Sequence, residues 1–524
     1  MNLISGSSYS RQLYLLGIVL LVIALPLSMF LMSVAQFVLI GAWVSDSPIK
    51  QKIKNVFSNK FFLLLAGVYA IHLIGLLYTT DFNYAMRDLR IKLPLLILPL
   101  ILISSKPLEE KQFHFTLKIF IAAVFISALV SIAVYAGVIN KTLHNIRDIS
   151  IFISHIRLSL LVCVAIVCCM YFFSESTSLK SRLGLISLII YFAGFLLLLE
   201  SLTGLFVLAC LLLFGAYRYL LTQSARMAQW GFAIICLIII VSSLKLYQFV
   251  FVDSIKETTA DLRNLPKQTV AGNDYFNDTT QNDLENGNPV WITVCEQELD
   301  TSWNRRSKLL YSGKDEKGQD IKYTLIRFLA SKNLKRDAEG VAQLKEEEVR
   351  AIENGVANVN HTQLSNVCSR IEQLAWEYRQ YHFYGYATGH SLMQRFEFWK
   401  TGLFIIKQHP LKGVGTGDVQ LAFDDAYQKT NSHLNASNRL RSHNQYLTMG
   451  VAFGVMGAFY YLISLLLPWF WLKKNDFLYS AFLIIALLSM FTEDTLETQA
   501  GATFYAFFNA YFITQSDEFK NRVS

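Results

Sequence analysis

The chain has 524 residues, of which 53% are hydrophobic and only 16% charged, a balance too apolar for a water-soluble globular protein of this length. Its formal net charge of +8 is spread over short stretches between apolar runs and forms no single basic face, so nothing suggests nucleic-acid binding. The charged residues concentrate between about 252 and 444, flanked by long apolar blocks, which implies two solvents.

In chain order, an apolar run from Leu13 to about Met32 follows Arg11, and a second run follows almost at once, which favours a retained anchor over a cleaved leader. Runs long enough to cross a bilayer as helices are read at 12–30, 32–44, 61–78, 89–104, 114–138, 157–174, 184–200, 202–222, 229–251, 445–472, 477–492 and 499–515. Loop charges set the orientation. Lys50, Lys52, Lys54 and Lys60, then Lys180 and Arg182, then Arg218 and Arg226, then Lys473 and Lys474 all fall on one side of the count, the expected cytoplasmic side. The acidic loop Glu493-Asp494-Thr495-Leu496-Glu497 and the segment 252–444 fall on the other. The expected organisation is therefore nine helices in 1–251, one large outer loop in 252–444, and three helices with a cytoplasmic tail in 445–524.

Within the loop, Asn286-Gly287 marks a turn, Val290 to Val294 reads as a short strand, and Lys345 to Tyr384 reads as helix broken near Asn354-Gly355. A further helix is expected from Leu392 to Gln408, with Ser391 as N-cap and Pro410 beyond its end. Its apolar residues Leu392, Phe396, Trp399, Leu403 and Ile406 recur at three and four, so one face is buried against protein or lies on the membrane. Five cysteines (Cys163, Cys168, Cys169, Cys210, Cys236) sit in apolar runs as small hydrophobes. Cys295 and Cys368 lie in the polar region, and whether they pair is open.

Chemistry-bearing residues cluster around the loop's second half. His409-Pro410-Leu411-Lys412-Gly413-Val414-Gly415-Thr416-Gly417-Asp418 alternates three glycines in a basic context, either a structural turn or a nest of amides for an anion. Arg395 flanks the apolar helix face, where it needs a partner and reads as a salt bridge or a functional cation. Arg441-Ser442-His443-Asn444-Gln445 puts a histidine where the chain re-enters the membrane, as a hydrogen-bonding group or a base. Ser154-His155-Ile156-Arg157 puts an arginine at the outer end of the sixth span, where it either snorkels or serves the same face.

Together, Arg395-Phe396-Glu397-Phe398-Trp399, the turn His409 to Asp418, His443-Asn444 before an apolar span, and Glu493 to Gly501 before the last span resemble the O-antigen ligase family of bacterial inner membranes. The resemblance covers span number, orientation and the placement of the large loop, although residues 252–390 are longer than the family pattern calls for and have no role assigned. It implies an all-α, GT-C-type integral membrane protein of about twelve transmembrane helices with a large, mainly helical periplasmic loop. The implied reaction is glycan transfer from undecaprenyl diphosphate to lipid A-core, with inversion and without a metal or other cofactor. Arg395 and Arg157 then meet the diphosphate leaving group, and His443 is the base. The substrate-binding set is Arg157, Arg395, Gly413, Gly415, Gly417, Arg441 and Asn444. Metal-dependent oligosaccharyltransferases would place acidic ligands in a first outer loop, but here the turn from Ser28 to Met32 has no carboxylate. An O-antigen polymerase and a protein O-oligosaccharyltransferase remain alternatives that differ in acceptor, and a transporter or ligand-binding membrane protein is the alternative of another class. Membrane lipids and lipid-borne glycans are the expected partners.

Overall fold

The computed structural model describes residues 8–46, 48–143, 146–223, 225–256, 262–362, 366–472 and 476–523. Helix dominates, and the strands among these residues form one hairpin, Leu284–Glu285 with Asn288–Pro289. Every apolar run read from the sequence contains helix. Among the described residues, eight helices are long and apolar enough to cross a membrane, or nine if Met29–Ser45 is joined with Ile49–Phe57. The chain is thus an all-α, multi-pass membrane protein. Three expected spans fall outside that set for distinct reasons. The run at 89–104 divides at Leu93, because Pro94 starts a new helix, Pro94–Ser104, after Phe82–Lys92. Phe477–Thr492 is 16 residues long. Gln499–Gln515 is 17 residues long and enclosed by protein beyond its first two residues, every residue from Gly501 to Gln515 being buried, so it keeps Thr503, Asn509 and Thr514 without facing lipid.

Contacts divide the chain into two units, Met1–Ile235 with Arg395–Ser524, and Cys236–Gln394. Composition grouped residues 395–444 with the polar loop, but their polarity reports exposure rather than packing partner. In the first unit, Phe504, Phe508 and Phe512 pack around Phe482, and Phe120 meets Phe508 from another helix. Its outer helices invert the usual surface, leaving Leu183, Ile190 and Trp230 at 55%, 66% and 73% exposure, as expected where the solvent is lipid. Charged contacts gather at two ends. Lys92 and Arg441 meet Glu497, and Arg395 meets Glu493; at the other end Glu110, Glu175, Asp476 and Lys520 line one cavity. Loop charges imply the same grouping. Lys473 and Lys474 lie outside the described residues.

The helix Gln445–Trp471 is interrupted at Gly454, whose φ of 66° and ψ of −169° break the ladder. The chain from Pro410 to Gly415 fills the gap. Val414 and Gly415 donate N–H bonds to the carbonyls of Val451 and Ala452, each at 2.9 Å, and Val455 donates to Pro410 at 2.8 Å. At a membrane helix such freed groups need protein partners.

The second unit has its own core, in which Trp303, Leu325, Phe328, Leu329, Val341 and Ile352 are buried. Asn286 and Gly287 form the expected turn, with φ of 51° and 83°. The strand expected at Val290 to Val294 is instead a bent segment with isolated bridges from Val294 to Phe276 and Arg336, because Thr293 takes φ 51° and ends the extended run. The expected helix break is present: Glu346–Glu353 stops at Asn354, Gly355 has φ 71°, and the next long helix is Asn366–Tyr384. Cys295 is buried, Cys368 exposed, and the two are not joined.

The helix Ser391–Gln408 begins at Ser391 itself, so that residue lies in the first turn rather than capping it. Its buried face carries Met393, Glu397, Phe398, Thr401 and Ile405, whereas Leu403 of the expected apolar stripe is 49% exposed. The stripe is therefore only half covered, Trp399 lying on Phe491 with ring centroids 5.2 Å apart while Leu403 stays open.

Gly454→Ala forces a side chain into the left-handed region and against the carbonyl oxygens of Leu411 and Pro410. The expected cost is at least about 1–2 kcal/mol, measurable as a lower Tm of the detergent-solubilised protein.

Candidate functional site

Helix Phe477–Thr492 ends at Glu493, and after the 3-10 turn Thr495–Glu497 the helix Gln499–Gln515 starts from Thr498, whose hydroxyl accepts from the Gly501 N–H at 3.2 Å. Five residues thus place three carboxylates, Glu493, Asp494 and Glu497, in a tight, largely buried turn. Each needs partners, since an unpaired buried charge is costly.

Glu497 is paired twice, with Lys92 Nζ at 2.9 Å and Arg441 Nη1 at 2.7 Å. Lys92, 2% exposed, also reaches both oxygens of Asp88 at 2.6 Å. Two cations and two anions balance in this network. Burial alone would raise the Glu497 carboxyl, but Lys92 and Arg441 hold it well below the usual carboxylate range. Arg441 is likewise held above its ordinary value, Glu497 outweighing its burial.

Asp494 accepts from neutral donors, the His443 N–H at 3.1 Å, Thr448 Oγ1 at 2.8 Å and Ser442 Oγ at 3.3 Å. Burial and then the nearby Glu497 push its carboxyl up. These bonds hold His443 at φ 46°, a left-handed conformation unusual for a residue with a side chain. Its ring lies on Phe398, centroids 5.5 Å apart and planes 29° apart, and the side chain remains 35% exposed.

Glu493 is the point of convergence. Arg395 Nη2 lies 3.1 Å from Oε1, and His443 Nδ1 lies 3.9 Å from Oε2. Burial opposes its charge, yet His443, Arg395 and Arg157 together keep the carboxyl below its ordinary value. Arg157 comes from the first turn of His155–Glu175, where Ser154 Oγ accepts its N–H. Its guanidinium occupies the space above Gly501, where any Cβ would collide with Arg157 Nη1 and the Thr495 carbonyl oxygen.

Of the residues singled out in the sequence, Arg395 and His443 therefore meet at one carboxylate, and Arg157, lodged over Gly501, acts on the charge of that carboxylate. Arg441 is engaged in the neighbouring network, and Asn444 caps Gln445–Trp471 by accepting the Leu447 N–H at 3.1 Å. Amides of the glycine turn are committed to the fold, Gly413 to His409 O at 3.2 Å, Gly415 to Ala452 O at 2.9 Å and Gly417 to Thr79 Oγ1 at 2.8 Å. Asp418 clamps the same chain segment by accepting from the N–H groups of Thr80 and Asp81, both at 2.8 Å. Of the two readings of this turn, these bonds are those of a structural turn.

Sequence reasoning used Glu493, Asp494 and Glu497 to orient the helices and gave them no place in the site; Gly501, Asp88 and Lys92 received none either. Opposite charges four residues apart beside an apolar run, Asp88 and Lys92, were the available signal.

Residues 351–462 match the sequence model of the family described as O-Antigen ligase. The matched stretch carries Arg395, the glycine turn, Arg441, His443 and Asn444. It bears out the resemblance to that family and supports, in general terms, an enzyme of the O-antigen ligase or polymerase kind. No curated protein matches the chain.

Glu497→Gln leaves Lys92 and Arg441 facing one carboxylate fewer. The expected loss is roughly 3–5 kcal/mol, read as a large drop in Tm, against a change within about 0.5 kcal/mol for the exposed Lys400→Gln.

Proposed function

We propose that the protein is a metal-independent, inverting glycosyltransferase of the GT-C type, moving a glycan from undecaprenyl diphosphate to lipid A-core at the periplasmic face of the bacterial inner membrane. In this reading both termini are cytoplasmic, the polar segment 252–444 is periplasmic, and the apolar runs make about twelve spans. The observation that carries it is the approach of Arg395 and His443 to Glu493, with Arg157 acting electrostatically on the same carboxylate.

Two guanidinium groups against one carboxylate leave a positive charge where a diphosphate would lodge. Asp494, whose donors are an amide and two hydroxyls, keeps its own charge beside Glu497 and His443, so the surplus is local to Glu493 and its guanidinium groups. In the transfer, an acceptor hydroxyl attacks the anomeric carbon, the bond from that carbon to the diphosphate oxygen breaks, and the lipid diphosphate leaves with the electron pair. Arg395 and Arg157 stabilise the charge developing there. The hydroxyl proton passes to His443, the most open member of the group, and Glu493 beside its Nδ1 stabilises the imidazolium that forms. Displacement from the opposite face without a covalent intermediate inverts the anomeric centre.

The test is transfer by the purified protein in lipid, with a glycan on undecaprenyl diphosphate as donor and lipid A-core as acceptor. His443→Ala is expected to slow turnover roughly 10²–10⁴-fold while eluting like wild type; normal turnover would reject the base. Arg395→Lys is expected to be strongly impaired, because a point charge replaces a planar fork. A companion prediction concerns Gly501→Ala, whose methyl meets both the Thr495 carbonyl oxygen and the Arg157 guanidinium; turnover should fall at least to the level of Arg157→Ala, and turnover at the wild-type rate would separate Gly501 from Arg157.

A further inference from the structure

The second unit encloses a cavity of about 600 Å³, within the range of small-molecule sites. We propose that it is a saccharide-binding site.

Its charges cancel. Asp253, Glu285 and Glu372 stand against Lys256, Arg327 and Arg379, so the lining has no bias toward a phosphate or a polyanion. Most of these charges are also answered from within. Arg327 Nε donates to Glu285 Oε1 at 2.7 Å and Asn358 Nδ2 to Oε2 at 2.7 Å; Lys256 pairs with Asp253 at 2.6 Å; Arg379 donates to the carbonyls of Ser254, Lys256 and Asn282.

Neutral hydrogen-bonding capacity remains. His361 Nε2 and Glu372 Oε2 are both shielded from solvent, 3.5 Å apart, and neither has a hydrogen-bond partner among the described residues. A buried polar atom left in this state is costly unless something else satisfies it. A ligand hydroxyl, which donates and accepts at once, suits a carboxylate and an imidazole set side by side. At the same wall stand the carboxamides of Asn360, whose nitrogen donates to Asn286 and Glu372, and of Gln373, whose oxygen accepts from Arg370, which leaves the Asn360 oxygen and the Gln373 nitrogen toward a ligand. Phe249, 42% exposed, and Trp376, whose ring carries Arg327 at 3.9 Å, supply apolar ring surface. A ligand without net charge, dense in hydroxyls and with apolar C–H faces is a sugar.

Position agrees with this class. Phe249 and Asp253 belong to the last turns of the candidate span Gln229–Ile255, so the cavity opens where a membrane-crossing helix ends and a glycan anchored on lipid is within reach. That the bound sugars belong to the transferred glycan or its acceptor rests on the glycosyltransferase reading; that the cavity takes a saccharide does not.

The experiment uses the full chain in lipid nanodiscs with two probes, the lipid-free surface polysaccharide and the lipid-free core oligosaccharide released by mild acid from the producing bacterium. Binding is followed by saturation-transfer NMR and tryptophan fluorescence. At least one probe is expected to bind, with affinity reduced about tenfold or more by His361→Ala and by Gln373→Trp, an exposed position that fills the mouth without touching the core. Polysaccharide binding would assign the site to the donor glycan, and core binding to the acceptor. Arg395→Ala and His443→Ala are expected to leave binding intact. If neither probe binds, if both cavity variants bind like wild type, or if binding disappears in His443→Ala, the proposal is overturned. Saccharide binding by a wild-type protein that transfers nothing would instead sink the reaction and keep the site.

Discussion

Three carboxylates in the five-residue turn Glu493 to Glu497 cannot be held in a largely desolvated place without cations, and the chain supplies those cations from far away. Lys92, Arg395 and Arg441 each close an ion pair with this turn at 3.1 Å or less. Several kcal/mol of desolvation per ion must be offset by such pairs, so the ends of the helices that carry them are forced to one face of the first unit. The alternation of helices read from loop charges and the pairing of buried charges are thus two expressions of a single constraint.

The turn is graded in its chemistry. Glu497 is 9% exposed and sits in a closed network whose charges sum to zero, which anchors structure and leaves nothing to react. Four residues earlier, Glu493 faces two arginines and an imidazole that is 35% exposed, a looser arrangement with a positive surplus. Asp494 joins the two regions by holding His443 in a strained backbone conformation. Strain of this kind persists only where the surroundings over-determine it, and here the bonds that do so come from the same turn that pairs with the arginines.

The helical, multi-pass character was legible because apolar run length is a strong, local signal. Basic residues flanking membrane helices were legible too, and Arg157, Arg395 and His443 could be singled out because each sits at a place where its charge or ring needs explaining. Their common partner was not. Glu493 looks like an ordinary acidic loop residue until Arg395, 98 positions away, is seen at 3.1 Å. Gly501 reveals its role through the Thr495 carbonyl and through a side chain 344 positions earlier, which together occupy the space of its missing Cβ. The strand expected at Val290 to Val294 failed for a similar reason, since a single left-handed residue, Thr293, is invisible to a pattern of apolar residues.

The glycine turn shows why one motif supports two readings, a structural turn and an amide nest, until its neighbours are seen. Glycines at 413, 415 and 417 satisfy the requirement for a nest of amides, but they satisfy equally the requirement for close backbone approach, and their neighbours decide between the two. A Cβ at Gly413 would strike the backbone of Ala452 and Phe453; one at Gly417 would strike Asp81. The amides go to the carbonyl exposed by the break at Gly454 and to the segment that follows Lys60–Gly75. The turn therefore completes a broken membrane helix, and since that helix begins one residue after Asn444, its break and its cap together fix where His443 is presented.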